Sequence, residues 1–226
     1  MPRKGYQEKL DELQEDVLYM SEVVFDRLQT GLDALEKKDD ELAEEVIHGD
    51  DEINQLYLDL ERECVNLLAL QQPVAGDLRF IAASFKIITD LERIADLAVN
   101  LGEYAIDAEQ DHGPDVDVQA IGEIVVEMNE QAMAAYTDED SELCYAIGDR
   151  DDEVDAMCQD ASDTVMRNLI EREIDEDTTD EEIESLMRDV SRLLLTVRDL
   201  ERVGDHAVNI AARTLYMVDN DDALIY

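Results

Sequence analysis

Two pairs of acidic residues, Glu92 with Asp96 and Glu201 with Asp205, have types and spacing that could do chemistry. Because the members of each pair are four residues apart, they would project from one face of a helix, one turn from each other. Neighbouring carboxylates repel each other unless a cation lies between them, and oxygen ligands suit hard metal ions such as Mg²⁺, Mn²⁺ and iron. The pairs therefore point to cation binding, provided that other elements complete each site.

Both acid pairs lie in a stretch of twelve residues that the chain contains twice. Residues 90–101 read DLERIADLAVNL and residues 199–210 read DLERVGDHAVNI, so eight of the twelve positions are identical. The second copy begins almost half a chain length after the first, which predicts a duplicated domain. A shorter match, DDEI at 50–53 and DDEV at 151–154, supports the duplication at a slightly smaller spacing.

The pattern around these stretches is helical throughout. Only 9 glycines and 3 prolines occur, and apolar residues recur at steps of three and four in the long segments. Helices are expected at about 6–36, 40–71, from Gly76 through the first copy, at 116–136, at 142–172 and through the second copy. The strongest break is DHGPD at 111–115. The sequence thus predicts an all-α fold of two tandem, pseudo-symmetric three-helix bundles, in residues 1–110 and 115–226.

Several polar residues are placed where they could cap these helices. One of the aspartates at 39–40 precedes the second helix, and the run TDED at 137–140 precedes the fifth. The turn IDEDTTD at 174–180 offers a threonine at 178–179 as the N-cap of the last helix. A glutamate at 181–182 would complete a capping box there.

Arithmetic along the chain tests whether a second helix completes the first acid pair. In an antiparallel hairpin, residues equally far from the turn lie at the same level. Asp50 with Asp96 and Asn54 with Glu92 are both centred on Pro73, which lies in the expected turn. Four oxygen-bearing side chains are therefore expected at one level of the first hairpin.

The second half gives the same result. Asp151 with Asp205 and Asp155 with Glu201 are both centred on Thr178, although the connection between the two matched segments is longer here than in the first half. The sequence therefore predicts two clusters of candidate metal ligands, which are Asp50, Asn54, Glu92 and Asp96 in the first half and Asp151, Asp155, Glu201 and Asp205 in the second.

A different interpretation of the clusters stays open, because the carboxylates could form ordinary salt bridges with arginines of neighbouring helices. Arg93 and Arg202 are the nearest basic residues, but each projects about 100° away from its neighbouring glutamate. His206 follows Asp205 and has Leu97 as its counterpart, which is more typical of a packed or solvated side chain than of a ligand.

The remaining candidates do not indicate catalysis. Asn100 and Asn209 extend the acidic stripe by one turn, either as outer ligands of a metal or as polar surface. No glycine-rich phosphate loop, G-x-S-x-G elbow or Cys/His pair appears in the sequence. We therefore expect neither a nucleophilic nor a hydrolytic enzyme.

The composition limits the partners and the compartment. Sixty acidic and 18 basic residues give a net charge of −42, as expected for adaptation to molar salt, where the Debye length is about 3 Å. This charge argues against nucleic acid and anionic membranes as direct partners. Cys64, Cys144 and Cys158 indicate neither a disulfide framework nor a zinc–thiolate site. With no signal peptide and no membrane-spanning apolar run, a cytoplasmic location is expected.

The motifs resemble those of a known family. QQPVAGDLRF at 71–80, followed by DLERIADLAVN and later by DLERVGDHAVN, is similar to the PhoU family of phosphate-uptake regulators over essentially the whole chain. The resemblance implies two three-helix bundles and, as in some members, multinuclear metal clusters on paired E(D)-x-x-x-D(N) motifs. Those motifs match the eight cluster residues above, with iron, manganese, magnesium or zinc as candidate ions. Two features depart from the family: the motif at 71–80 is not repeated in the second half, and the acidity is extreme.

The same resemblance implies a function and partners. It implies a non-enzymatic cytoplasmic regulator that restrains phosphate uptake or starvation signalling when phosphate is plentiful. The implied partners are the ATPase of the phosphate ABC transporter and, where one exists, a sensor histidine kinase, with a homodimer as the assembly. Two alternatives remain open: a metal-storage protein or metal-dependent enzyme that uses the clusters, and a purely structural helical adaptor.

Overall fold

The helices follow the apolar periodicity of the chain, and the computed structural model describes residues 2–70, 74–108, 116–171 and 179–225. Within those ranges the regular structure is entirely α-helical, which confirms the predicted all-α class. The helices in these ranges are α1 (Pro2–Lys37), α2 (Asp40–His48), α3 (Asp50–Leu70), α4 (Ala75–Ile106), α5 (Val118–Asp138), α6 (Ser141–Glu171) and α7 (Asp180–Asp219).

These helices form two bundles that follow the duplication. In the first bundle, α1 packs against α4, and the consecutive helices α2 and α3 pack along both. In the second, α5 and α6 pack against each other and against α7. The leucine, valine and isoleucine side chains of the helical seams are buried between the helices, where removal from water stabilises the fold. The predicted pair of pseudo-symmetric three-helix bundles is confirmed.

The two bundles share one hydrophobic core. Helices α4 and α7 pack side by side, α1 contacts α5, and buried residues of both bundles form one continuous cluster. At each end of the α4–α7 pair, an arginine of one helix donates a hydrogen bond to a backbone carbonyl at the end of the other. Nε of Arg79 donates to the carbonyl of Met217 at 3.2 Å, and Nη1 of Arg192 donates to the carbonyl of Asp107 at 3.0 Å. Since each arginine lies early in its helix and each carbonyl near the end of the other, α4 and α7 are antiparallel.

The prediction of one continuous helix after residue 40 is wrong. The chain forms two helices there, α2 and α3, with a break at Gly49. The N–H of Gly49 donates to the carbonyl of Glu45 at 3.0 Å, which ends α2 and lets α3 begin at the next residue. Arg27 of α1 lies over the break, with Nη1 donating to the same carbonyl at 3.3 Å and Nη2 at 3.5 Å from the carboxylate of Glu52. A Cβ at position 49 would lie 2.7 Å from Nε of Arg27. The guanidinium therefore occupies space that only glycine leaves free.

The predicted helix caps are confirmed where the structure describes them. Asp39 accepts hydrogen bonds from two backbone N–H groups in the first turn of α2, and Asp140 accepts one at the start of α6. Thr179 and Glu182 form a reciprocal capping box at the start of α7. These bonds satisfy backbone donors that have no partner within the helix.

Some features of the sequence prediction lie outside the described residues. They are the turn residues Pro73 and Thr178, the start of the motif at 71–80, and the break at 111–115. The domain limits at 110 and 115 therefore stay a prediction. Within the described ranges, no helix combines the length and apolar character needed to cross a membrane.

Candidate metal centres

The first carboxylate cluster lies on the pair of helices α3 and α4. Asp50 and Asn54 stand at the start of α3, where Nδ2 of Asn54 donates to Oδ2 of Asp50 at 2.6 Å. The pKa of Glu92 on α4 is raised, chiefly by burial and to a smaller extent by the negative charges of Asp96 and Asp50. Burial, followed by the charge of Asp50, also raises the pKa of Asp96. The structure thus brings the four predicted residues of the first half together.

The second cluster lies on α6 and α7. Burial, followed by repulsion from Asp155 and Asp205, raises the pKa of Asp151 to about 6. On α7, burial followed by the charge of Asp155 raises the pKa of Glu201 and that of Asp205. Despite the longer connection between its helices, the second half also brings its four predicted residues together. The residues of this turn at 172–178 lie outside the described part of the chain.

One oxygen of the second cluster is left without a hydrogen bond. Oδ1 of Asp151 is buried, and no donor among the described residues reaches it. Gly204 of α7 leaves room beside it, since a Cβ there would lie 3.4 Å from this oxygen. A buried polar atom without a partner costs about 1–3 kcal/mol. A bound cation would remove that cost. The unpartnered oxygen of Asp151 is therefore the observation that best fits a metal ion.

Arginine does not neutralise the clusters directly. Among the described residues, none of the seven predicted carboxylates is within 4.0 Å of a basic nitrogen. Arg202 instead lies 3.7 Å from Asp199. From a greater distance, the positive charge of Arg202 partly offsets the rise in the pKa of Asp96 and of Asp205 that burial causes. The alternative of ordinary salt bridges therefore has no support in the described contacts.

The cluster side chains are not arranged as a finished metal shell. In the part of the chain that the structure describes, no three Asp, Glu, His or Cys side chains are placed to hold an ion as they stand. Binding would therefore require rotation of the carboxylates about their side-chain bonds. Rotamer changes of partly exposed side chains occur within nanoseconds and cost little. The clusters supply the carboxylate and amide oxygens that a hard metal ion prefers. A bound ion would have to draw these side chains into a ligand shell.

The first residue of the repeated stretch has a role that the sequence analysis missed. Asp90 of α4 is buried against α7, and its Oδ1 lies 2.9 Å from Nδ1 of His206. Nδ2 of Asn209 donates to the same oxygen at 3.4 Å. The amide of Asn209 joins the two bundles, a role that its place in the acidic stripe did not predict. Of the two alternatives for His206, a packed or a solvated side chain, the structure shows the packed one.

The second copy makes the equivalent contact in the opposite direction. Asp199 of α7 is fully buried, and its Oδ2 accepts a hydrogen bond from Nδ2 of Asn100 at 3.1 Å. The same oxygen accepts a bond from the hydroxyl of Tyr104 at 2.9 Å, while Arg198 donates to Oδ1 at 3.0 Å. Burial, together with the bond to Asp199, raises the pKa of Tyr104 to about 12. Asn100 therefore also links the two bundles.

The cysteines lie in the core rather than in the clusters. All three are buried and free, in agreement with the prediction that no disulfide framework exists. Cys158 lies nearest the second cluster. Burial, followed by the charges of Glu201 and Asp155, raises the pKa of its thiol to about 12, which keeps it protonated and a poor ligand for a hard ion.

Known proteins resemble this chain over most of its length. A family model described as the PhoU domain matches it twice, at residues 17–105 and 118–214. The phosphate-specific transport system accessory protein PhoU homolog of Aquifex aeolicus is 38% identical over 165 residues, which cover 72% of this chain and 75% of that protein. The corresponding PhoU homolog 1 of Methanothermobacter thermautotrophicus is 34% identical over 220 residues, or 96% of this chain and 95% of that protein.

Solved structures have the same arrangement of helices. The crystal structure of PhoU from Pseudomonas aeruginosa matches with a TM-score of 0.86 and 30% identity, over 96% of this chain and 100% of that one. The phosphate transport system regulatory protein PhoU from Streptococcus pneumoniae matches in fold with a TM-score of 0.85 at 24% identity, over 96% and 98%. Two family matches, two helical bundles and a motif present in each bundle agree with one another, and the chain belongs to the PhoU domain family.

Proposed function

We propose that this chain is an accessory protein of phosphate-specific transport that restrains phosphate uptake and phosphate-starvation signalling. The proposal includes a cytoplasmic location, the ATPase of the phosphate ABC transporter as partner, and a sensor histidine kinase where one exists. Members of the PhoU family are regulatory accessory proteins rather than enzymes, which confirms the prediction of a non-enzymatic protein.

The extent of the likeness carries this proposal. A relative that is named as a phosphate-transport accessory protein is 34% identical over 96% of this chain. The fold shared with the Pseudomonas aeruginosa protein also extends over 96% of the chain. Both bundles, both clusters and the α4–α7 contact therefore fall within the region of similarity.

The proposal also assigns divalent or trivalent metal ions, with iron, manganese, magnesium and zinc as candidates, to the two clusters. The crowding of carboxylates on each hairpin and the unpartnered oxygen of Asp151 support this assignment. When bound, such an ion would neutralise the repulsion and cross-link the two helices of the hairpin. The residues that would hold it are Asp50, Asn54, Glu92 and Asp96 in one site and Asp151, Asp155, Glu201 and Asp205 in the other.

Deletion of the gene tests the regulatory part. Phosphate uptake and the expression of starvation-induced transporter genes would be measured in phosphate-rich medium, with and without this protein. We expect both to rise in the deletion strain and to return to normal when the gene is restored. Unchanged uptake together with an unchanged starvation response would contradict the proposal.

Variants of the restored gene separate regulation from metal binding. One variant neutralises the clusters with Glu92→Gln, Asp96→Asn, Glu201→Gln and Asp205→Asn. A control removes four exposed charges from α1 with Glu12→Gln, Glu15→Gln, Asp16→Asn and Glu22→Gln. We expect the control to restore regulation and the cluster variant to fail. If both restore it, the regulatory role stands and the clusters are not needed for it.

Two further features belong to the same proposal. The first is a homodimer, which is the assembly that the family resemblance implies. The second is adaptation to molar salt, which the net charge of −42 suits. Light scattering at increasing KCl concentrations would measure the molar mass and the onset of unfolding together. We expect a dimer and greater stability at high salt, because screening reduces the repulsion between acidic side chains.

A further inference from the structure

The two carboxylate clusters differ at one matched ligand position. By the spacing of the DDE runs, Asn54 of α3 corresponds to Asp155 of α6. The first cluster therefore offers three carboxylates and one amide, whereas the second offers four carboxylates. In sites that are made of oxygen ligands, the affinity for a divalent ion rises with the number of charged ligands. The second cluster should attract such an ion more strongly than the first.

The same difference leaves the first cluster partly satisfied without an ion. Nδ2 of Asn54 donates to Oδ2 of Asp50 at 2.6 Å, so an ion that used this oxygen would have to displace the amide. An ionised Asp155 has no proton to donate in this way. Oδ1 of Asp151, the counterpart of Asp50, is buried and has no hydrogen-bond partner among the described residues. An ion that reaches Asp151 at this oxygen replaces no existing bond, and its binding is favoured accordingly.

A further difference lies in the helices that carry the repeated stretch. Gly204 of α7 corresponds to Ala95 of α4. A Cβ at position 204 would lie 3.4 Å from Oδ1 of Asp151 and 3.5 Å from Cγ1 of Val154, which is ordinary van der Waals contact. Packing therefore does not require glycine here, although glycine within a helix is less stable than alanine. What glycine provides is an uncovered oxygen, because the methyl group of an alanine would lie against Oδ1 of Asp151.

We propose that the two metal centres differ in affinity, so that the second centre fills at lower concentrations of a divalent ion than the first. The second centre retains its ion and holds α6 to α7, while the first gains or loses its ion as the free concentration changes. Asn54 weakens the first centre, and Gly204 keeps the second one accessible. This inference rests on the metal-binding part of the proposed function, and it makes the α3–α4 hairpin the part of the chain that responds to divalent ions.

Titration of the intact, metal-free chain with Mn²⁺ tests the order of filling. Electron paramagnetic resonance measures the free Mn²⁺, and 1 M KCl screens general attraction to the acidic surface. We expect two classes of site whose dissociation constants differ by about tenfold or more. Glu201→Gln with Asp205→Asn should remove the tighter class, and Glu92→Gln with Asp96→Asn should remove the weaker one.

An acid pair outside the clusters provides the matched control. Glu12 and Asp16 have the same residue types and spacing as the cluster pairs, and they are exposed on α1. Glu12→Gln with Asp16→Asn should leave both classes of site and both dissociation constants unchanged. Loss of either class in this control would show that general surface acidity binds the Mn²⁺, which would overturn the inference.

Exchange of the matched residues tests the cause of the difference. Asn54→Asp should tighten the first class by about tenfold, and Asp155→Asn should weaken the second class by about tenfold. Both substitutions preserve the size of the side chain, and circular dichroism checks that the helices remain. Gly204→Ala should weaken the second class and leave the first unchanged, because its methyl group would lie against Oδ1 of Asp151.

Three outcomes of these titrations would overturn the inference. Equal dissociation constants for the two centres, or tighter binding at the first, would refute the order of filling while the metal assignment stands. Unchanged constants in both Asn54→Asp and Asp155→Asn would refute the cause that we assign to the difference. Absence of Mn²⁺ binding at both centres would contradict the metal assignment itself, and this inference with it.

Discussion

The amide of Asn209 and the carboxylate of Asp90, 3.4 Å apart, join α7 to α4 from opposite copies of one twelve-residue stretch. Asn100 and Asp199 make the equivalent contact at 3.1 Å. Both pairs are centred on the same point of the chain, between residues 149 and 150, as an antiparallel contact requires. Each copy thus joins the bundles with its first and eleventh residues and contributes its third and seventh residues to a carboxylate cluster.

These bonds between bundles should contribute measurably to stability. Asp199→Asn leaves Asn100 and Arg198 facing a neutral amide in a buried site, and a loss of about 2–3 kcal/mol in the free energy of unfolding is expected. Asn209→Ala should cost only about 1 kcal/mol, because Asp90 keeps His206 as a partner. Urea denaturation at constant salt measures both changes. A double-mutant cycle of Asp199→Asn with Asn100→Ala cancels the general effect of removing a negative charge, and a coupling energy near zero would refute the contact.

The helix break at Gly49 should depend on Arg27. In the native chain, Gly49→Ala forces the guanidinium away from the carbonyl of Glu45 and from Glu52, and we expect a loss of about 1 kcal/mol in the free energy of unfolding. With Arg27→Ala already in place, Gly49→Ala should instead stabilise by about 0.5–1 kcal/mol, because alanine favours helical backbone. Chemical denaturation of the four proteins gives both values. The same sign in both backgrounds would show that Arg27 does not set the break.

The second cluster should make the stability of the metal-free protein depend on pH. The folded-state pKa of Asp151 is raised to about 6, so folding favours its protonated form. Its favourable contribution is complete below the unfolded pKa of about 4 and is lost as the pH rises through about 6. At pH 7, Asp151→Asn should therefore raise the free energy of unfolding by about 1 kcal/mol, after allowance for solvent screening at this half-buried group.

The difference in the free energy of unfolding between Asp151→Asn and the native chain should disappear near pH 4. Thermal unfolding in a chelator at pH 4, 5, 6 and 7 measures it. Asp160→Asn on the exposed side of α6 removes the same charge outside the cluster and should show no such pH dependence. A constant difference between the native chain and Asp151→Asn across this range would contradict the raised pKa.

The fold and the clusters were predictable because their determinants are local. Helical periodicity places Glu92 and Asp96 on one flank of a seam, and the position of the turn fixes which residues of the preceding helix face them. The break at Gly49 depends instead on a side chain of α1, which the sequence pattern around residue 49 does not reveal. One glycine between apolar residues at helical spacing is equally typical of a continuous helix.

The contact between the bundles was missed for a different reason. The equal centring of Asp90 with Asn209 and of Asn100 with Asp199 was present in the sequence, and it could have indicated that α4 and α7 pack antiparallel. Asparagine beside an acidic pair is equally compatible with a ligand, a polar surface and a hydrogen bond to a neighbouring helix. Only the position of α7 against α4 decides among these, and His206 had no counterpart in the first copy to indicate its role.

Anomalous diffraction from crystals that have been soaked in Mn²⁺ tests metal binding at the clusters most directly. The native chain and a variant with Glu92→Gln and Asp96→Asn would be measured at the manganese absorption edge after the same soak. We predict anomalous peaks beside Glu92 and beside Glu201 in the native chain, and only the peak beside Glu201 in the variant. Absence of a peak beside both glutamates in the native chain at millimolar Mn²⁺ would contradict the assignment of metal ions to these clusters.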